Sequence, residues 1–264
     1  MAKNLAVCSR EYKVMLDHRL FQKRKARARE LWRELGRMVR RLDDVKLSGK
    51  FNDTKKREIV FLDTPDGTIH LNGLVFRRRA DLERDKTEYT LKCRSPDRYV
   101  ATGANVRSAD GDDSGEKLEE DISAPFASRF SHSNTVAGPR KPPDDLKAAA
   151  KLFPALVRLE REGRRCSEQL ALEPVNSLAV YERVLTGPAF SFRRTEAELA
   201  LILWSDGPDG RPLVGELSFR YGNDKENFSA KTARVAMSCF AEIQRLDWCL
   251  PEGTTKTQFA YRLT

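Results

Sequence analysis

Ionic and apolar residues alternate with a period of two along many short stretches of this chain. Between Cys8 and Leu16, an extended backbone puts Ser9, Glu11 and Lys13 on one face and Arg10, Tyr12, Val14 and Leu16 on the other. Similar rows recur as Arg77 and Arg79, Thr90 and Lys92, Glu119 and Asp121, and Glu216 and Ser218. The pattern predicts strands over 8–16, 57–63, 69–79 with a kink at Asn72-Gly73, 88–94, 118–122, 168–172, 177–185, 190–204 and 213–221. Helical spacing predicts a helix over 17–42, through Leu20, Leu31, Leu35, Met38 and Leu42. A second runs over 231–246, through Val235, Met237, Phe240, Ile243 and Leu246. A third starts at a cap on Asp144 or Asp145 and runs to about Arg161, with a break at Pro154. Thr64-Pro65-Asp66-Gly67 and Asp206-Gly207-Pro208-Asp209-Gly210 read as turns. Residues 43–56, 101–117 and 131–145 read as loops, and Thr255 to Leu263 closes the chain.

Charges repeated at period two on many strands are costly in a dry core. They fit strands that line a wet cavity holding something highly charged. The expected fold is therefore α+β: an eight-stranded antiparallel β-barrel with helices packed outside. One domain over 1–264 is expected, with a basic helical insertion at about 17–56.

The formal net charge of +9 points to a polyanionic partner: nucleic acid, an anionic membrane surface or a phosphate-rich small molecule. No run approaches the roughly 18 apolar residues of a membrane span, and the opening residues carry no apolar leader. The five cysteines, at 8, 93, 166, 239 and 249, lack metal-finger or C-x-x-C spacing and read as reduced thiols. A cytoplasmic protein without a membrane partner is expected. The helix at 17–42 carries ten Lys and Arg against Glu30 and Glu34. It reads as a docking surface for nucleic acid or an acidic protein, or as a solvated outer face. The solvated face is favoured, because no aromatic residues interleave as a stacking platform.

The charged rows sort into two groups. Lys13, Arg77, Arg79, Lys92, Arg183, Arg194 and Lys256 are candidate phosphate ligands. Glu11, Glu119, Asp121, Glu198 and Glu216 are carboxylates that would repel a polyphosphate unless a hard cation lay between. Mg²⁺ or Mn²⁺ takes oxygen ligands and bridges to phosphates. Such a site would hold a triphosphate, polarise its terminal phosphoryl group and position a water.

Several segments then carry a family likeness in order. They are Ser9-Arg10-Glu11-Tyr12-Lys13, Phe61-Leu62-Asp63-Thr64-Pro65-Asp66, and Gly73-Leu74-Val75-Phe76-Arg77-Arg78-Arg79. Thr90-Leu91-Lys92, the Glu119/Asp121 pair, Gly215-Glu216-Leu217-Ser218, and Lys256-Thr257 with Tyr261 follow. The chain resembles the CYTH superfamily, the triphosphate tunnel metalloenzymes, over nearly its whole length. The resemblance implies a tunnel with basic residues on a triphosphate and acidic residues on a divalent metal. Its members hydrolyse inorganic triphosphate, thiamine triphosphate or RNA 5′-triphosphate ends, and some cyclise ATP.

Two departures stand out. Ser9 takes the place of the first signature Glu, and Ser218 that of the second Glu of the late pair. A hydroxyl is a poorer ligand than a carboxylate for a hard cation. Two readings therefore stand side by side. One is a metal-dependent triphosphatase, with adenylyl cyclase activity as a variant. In it Lys13, Arg77, Arg79, Lys92, Arg183 and Lys256 clamp phosphates; Glu11, Glu119, Asp121 and Glu216 hold metal; and Glu11, Lys13 and Glu216 are catalytic. The other is a polyanion-binding module of the same fold with weakened catalysis.

Overall fold

The protein is described from a computed structural model that covers residues 5–250 and 255–262. Strand β1 (Val7–Leu16) is followed by a 3-10 turn (His18–Phe21), helix α1 (Arg24–Val39), β2 (Val45–Ser48) and β3 (Asn52–Asp63). Next come α2 (Thr68–Leu71), β4 (Leu74–Asp81), β5 (Thr87–Ser95), α3 (Arg98–Gly103), β6 (Lys117–Ser123) and β7 (Ala127–Ala137). Helix α4 (Leu146–Ala149), a 3-10 turn (Pro154–Arg158) and the short strands β8 (Glu160–Arg161) and β9 (Arg164–Arg165) lead into the second half. It consists of β10 (Glu173–Phe192), β11 (Thr195–Ser205), β12 (Pro212–Gly222), α5 (Ala230–Gln244) and α6 (Lys256–Arg262).

Nine strands form the wall in the order β11-β12-β1-β6-β7-β5-β4-β3-β10, and β10 pairs with β11 to close it. Strand β2 adds a tenth strand on the end of β10. The expected barrel is present, with two corrections: nine strands close it rather than eight, and β1 runs parallel to β6, so the sheet is mixed.

Local differences have local causes. Residues 43–56 are not a plain loop, because β2 forms and β3 begins at Asn52. There Lys55, Arg57, Ile59 and Phe61 continue the period of two. The strand expected from Ile69 is interrupted. Asp63 accepts from the backbone N–H of Thr64, Ile69 and His70 and winds the turn into α2. Gly67, at φ 71°, takes the left-handed position that leads into it. The loop expected over 131–145 is strand as far as Ala137, paired with both β5 and β6. The strand expected over 168–172 is absent, and β10 begins at Glu173. The expected strand 190–204 is cut by a hairpin at Arg193, φ 58°, between β10 and β11. Asp145 caps α4 by accepting from Ala148 N–H at 2.6 Å, but the helix expected to run to Arg161 already ends at Ala149; Pro154 opens a separate 3-10 turn, and Glu160–Arg161 is strand β8. The helix at 17–42 is shorter than its pattern, spanning a 3-10 turn and then α1. In α5, Met237 is 47% exposed, and Ala236, Cys239, Phe240 and Ile243 are buried instead. Residues 1–4 and Leu263 lie outside the described residues.

The outward faces of the strands make the apolar layers. Tyr12, Val14 and Leu16 of β1 pack with Leu217 and Phe219 of β12 under Leu31 and Leu35 of α1 and Phe240 of α5. On the far side, Phe76, Tyr89 and Leu91 pack under Val106, Leu146, Phe153 and Leu156. Burying a side chain of this size stabilises by roughly 1.5–3 kcal/mol. With most of the hydrocarbon on the outside, the inner faces are left largely to the ions, apart from a cluster of Ile59, Phe61, Trp204 and Val214, of which Ile59, Phe61 and Trp204 also line the bore. Among the described residues, no helix is long and apolar enough to cross a membrane.

Candidate functional site

The inner faces enclose a cavity of about 320 Å³. Of the sequence-derived candidates, Glu11, Lys13, Arg77, Arg79, Lys92, Glu119, Asp121, Glu216 and Lys256 all line it. Each stands on the inward parity of its strand, apart from Lys256, which enters at the start of α6. Arg183 does not line it. Bulges between Pro174 and Ala179 and between Val184 and Leu185 set the parity of β10 so that Glu182 points inward. Arg183 instead bonds Asp53 at 3.0 Å and Asp209 at 2.9 Å. Arg194 is exposed in the β10–β11 hairpin, and Glu198 is exposed, 3.4 Å from Arg220.

Other lining ions were not among the candidates. Lys55 falls in the expected loop 43–56, Arg57 and Arg94 stand at the ends of expected strands, and Glu182 is hidden by the parity of β10. Lys117, Arg129 and Arg220 complete the set. Alternation would have revealed several of them: Lys55-Arg57-Ile59, Thr90-Lys92-Arg94 and Glu216-Ser218-Arg220 each continue at period two. Eleven Lys and Arg therefore face five carboxylates, a formal excess of six positive charges.

Four of the five carboxylates lie on one wall, opposite a wall made of cations. Glu216, Glu11, Glu119 and Asp121 stand on the adjacent strands β12, β1 and β6. Lys92, Arg77, Arg79, Lys55 and Arg57 stand on the adjacent strands β5, β4 and β3, across the barrel. On the acidic wall the carboxylates have cationic partners. Lys13 Nζ lies 2.7 Å from Asp121 and 2.9 Å from Glu11. Arg94 donates to the other oxygen of Asp121 at 2.6 Å. Lys256 Nζ lies 2.8 Å from Glu216, and Lys117 3.0 Å from Glu119. Burial alone would raise the Asp121 and Glu11 pKa values; Lys13, helped by Arg94 at Asp121, outweighs it and holds both below the usual carboxylate range. Burial would likewise lower Lys13, but Asp121 and Glu11 raise it.

On the cationic wall the balance reverses. Among the described residues Arg77 reaches only the Thr90 hydroxyl, at 3.5 Å, and the buried Nε atoms of Arg77 and Arg79 have no partner. Burial, reinforced by Arg79, drives the Arg77 pKa well below its ordinary value, and burial lowers Arg79 despite Glu182. Burial pulls the Lys92 ammonium down to about 7, with Asp121 only partly opposing it. Arg57, by contrast, pairs with Glu182, which also accepts from Trp204 Nε1 at 3.0 Å. Buried donors left unpaired are expensive. Anionic oxygens arriving between Arg77, Arg79 and Lys92 would satisfy them.

Ser9 and Ser218 both face inward and are buried. Ser9 Oγ donates to Glu119 at 3.0 Å, so it orients a carboxylate in the place where a signature carboxylate was expected. The hard oxygen donors that Mg²⁺ or Mn²⁺ takes are present in Glu11, Glu119, Asp121 and Glu216. Among the described residues, however, no three His, Cys, Asp or Glu converge as a metal site. The donor set fits an ion that brings phosphate oxygens with it better than one held by protein alone.

In motif order and in barrel, the chain resembles the triphosphate tunnel proteins. No family model matches it, and no curated protein matches it in sequence. Among solved structures it is similar to a candidate adenylyl cyclase of Hippeastrum described as having a dominant triphosphatase activity. That protein is 11% identical, with 96% of this chain and 94% of the other covered and a TM-score of 0.48. A candidate adenylate cyclase of Bacillus halodurans is 12% identical, covering 98% of each chain, with a TM-score of 0.43. A third, from Vibrio parahaemolyticus, is 12% identical over 90% of this chain and 88% of that one, with a TM-score of 0.35.

Proposed function

We propose that the bore binds a triphosphate and, with Mg²⁺ or Mn²⁺ entering alongside it, hydrolyses its terminal anhydride. The observation that carries this reading is the half-buried trio Arg77, Arg79 and Lys92, without a carboxylate partner among the described residues, facing an acidic wall across the cavity. Arg77 and Arg79 would fork the phosphate oxygens and Lys92 would place a point charge beside them. Glu11, Glu119, Asp121 and Glu216 would hold the ion on the opposite side, after Lys13 and Lys256 turn from them to the phosphates. When bound, the ion would supply Lewis-acid polarisation of the phosphoryl oxygens. Glu11 or Glu216 would orient the water, and Lys13 would stabilise charge gathering on the terminal oxygens.

The test is phosphate release from inorganic triphosphate with added Mg²⁺ or Mn²⁺, beside calorimetric binding without metal. Release that needs metal and is lost in both Lys13→Ala and Glu11→Ala supports the whole reading. Metal-indifferent binding without release leaves the binding module as the function, an outcome favoured by Ser9 and Ser218. No binding in either condition removes both. A triphosphate-containing small molecule is the proposed partner in either case, and cyclase activity is checked by cyclic AMP formation from ATP.

A further inference from the structure

The outer face of α1 is not used by the bore. Its inner face, Ala28, Leu31, Leu35, Met38 and Val39, is buried against the barrel. On the opposite face Lys25, Arg29, Arg33 and Arg37 follow one another at i, i+4, and all four are exposed. Lys23 precedes them, and Arg40 and Arg41 extend the row past the end of the helix, also exposed. At 1.5 Å per residue, the row from residue 23 to residue 41 covers about 27 Å. Such a density of like charge normally draws in counter-charges from the same protein. Here the two carboxylates on the helix are already engaged, Glu30 with Arg27 and Glu34 with Arg37. Among the described residues, Lys23, Lys25, Arg29, Arg33, Arg40 and Arg41 have no carboxylate partner. Self-repulsion along one ridge is thus left uncompensated.

We propose that this ridge docks on the phosphate backbone of a nucleic-acid duplex, independently of the bore. Four of the six unpartnered cations are Arg, whose planar fork matches phosphate oxygens in pairs. A flat anionic bilayer would touch only the crest of the cylinder. Every exposed residue from 22 to 41 other than Ala26 is polar or charged, so no large apolar side chain is there to insert. A duplex groove about 12 Å wide instead presents phosphates to both flanks of a helix. The proposed contacts go to phosphate oxygens, which carry no sequence information directly, so recognition is independent of sequence.

The full chain is titrated with a fluorescent 20-base-pair DNA duplex and its RNA counterpart between 50 and 200 mM salt, followed by anisotropy. Six neutralised phosphates give a slope of log K against log salt of about −5 on DNA. Arg29→Glu with Arg33→Glu weakens binding at least tenfold while thermal unfolding and triphosphate binding are unchanged. Arg77→Ala leaves duplex binding intact, and saturating inorganic triphosphate does not displace the duplex. A flat salt dependence overturns the proposal, as does equal loss in Arg77→Ala or displacement by triphosphate. Binding to phosphatidylserine vesicles but to neither duplex also overturns it. Because the two variant sets are disjoint, failure here leaves the reading of the bore standing, and the reverse.

Discussion

Lys13 reaches Asp121 at 2.7 Å across the parallel pairing of β1 with β6, and bonds Glu11 on its own strand at 2.9 Å. The register sets Glu11 directly beside Asp121. One ammonium therefore holds two carboxylates together that would otherwise repel each other.

Removing that ammonium leaves buried negative charge. Lys13→Met is expected to destabilise the fold by about 3 kcal/mol at pH 7, the usual scale for breaking a buried pair from one side. Both carboxylates titrate lower in the folded protein than when unfolded. The stability they contribute is present above pH 4 and lost as the pH falls through their folded values. The variant's deficit should accordingly shrink in acid. Thermal unfolding at pH 7 and pH 3 checks this; a deficit equal at both would mean that the pairing is not the cause.

Arg77 and Arg79 should behave oppositely in stability and in binding. Each is half-buried, with its Nε buried and no carboxylate partner among the described residues, so Arg77→Met is expected to raise the melting temperature by a few degrees, about 2–4 °C per kcal/mol gained. The same change should weaken triphosphate binding at least tenfold. Calorimetry beside thermal unfolding separates the two. A variant that is both less stable and a normal binder would contradict the assignment of this wall.

Lys92 supplies a pH dependence with an unusual sign. Its folded value, about 7, lies below the ordinary lysine value near 10.4. Between those values the unfolded chain binds more protons, so Lys92 makes the fold gain stability as pH rises from 7 to 10. Ligand binding should run the other way, strengthening as the pH falls through 7 and the ammonium forms. Lys92→Met should flatten both profiles. Triphosphate affinity measured from pH 6 to 9 tests the binding arm, and an affinity that rises with pH would refute it.

Ser9 and Ser218 allow a gain-of-function test. Ser218 lies opposite Lys13 in the β1–β12 register, so Ser218→Glu gains a cationic neighbour. Ser9→Glu would stand against Glu119 and repel it unless a cation intervened. The double variant is expected to be less stable than the parent without metal and to gain several degrees with millimolar Mg²⁺. By mass action, about 2.7 kcal/mol accompanies a concentration a hundred times the dissociation constant. Phosphate release should rise in parallel. No metal-dependent shift would show that these positions are not ligands.

Much of this site is legible one residue at a time. The pleat has a period of two that depends only on the local backbone, so Glu11 with Lys13, Arg77 with Arg79, and Glu119 with Asp121 declare a shared face before any partner strand is known. Apolar residues at the intervening positions then force the ionic face inward, because helices cover the outside. That is why nine of the proposed positions meet in one cavity, and why motif order anticipated the barrel.

What tertiary structure alone decided is parity, pairing and opposition. Bulges in β10 choose Glu182 over Arg183 for the interior, and no local signal ranks two adjacent residues whose strand must shift register to stay paired. The ninth strand and the parallel β1–β6 pairing depend on how the sheet closes on itself. So does the placement of carboxylates across from Arg77, Arg79 and Lys92. Coulomb interactions and burial act through space, between residues up to more than a hundred positions apart, and the chain sequence carries only their ingredients.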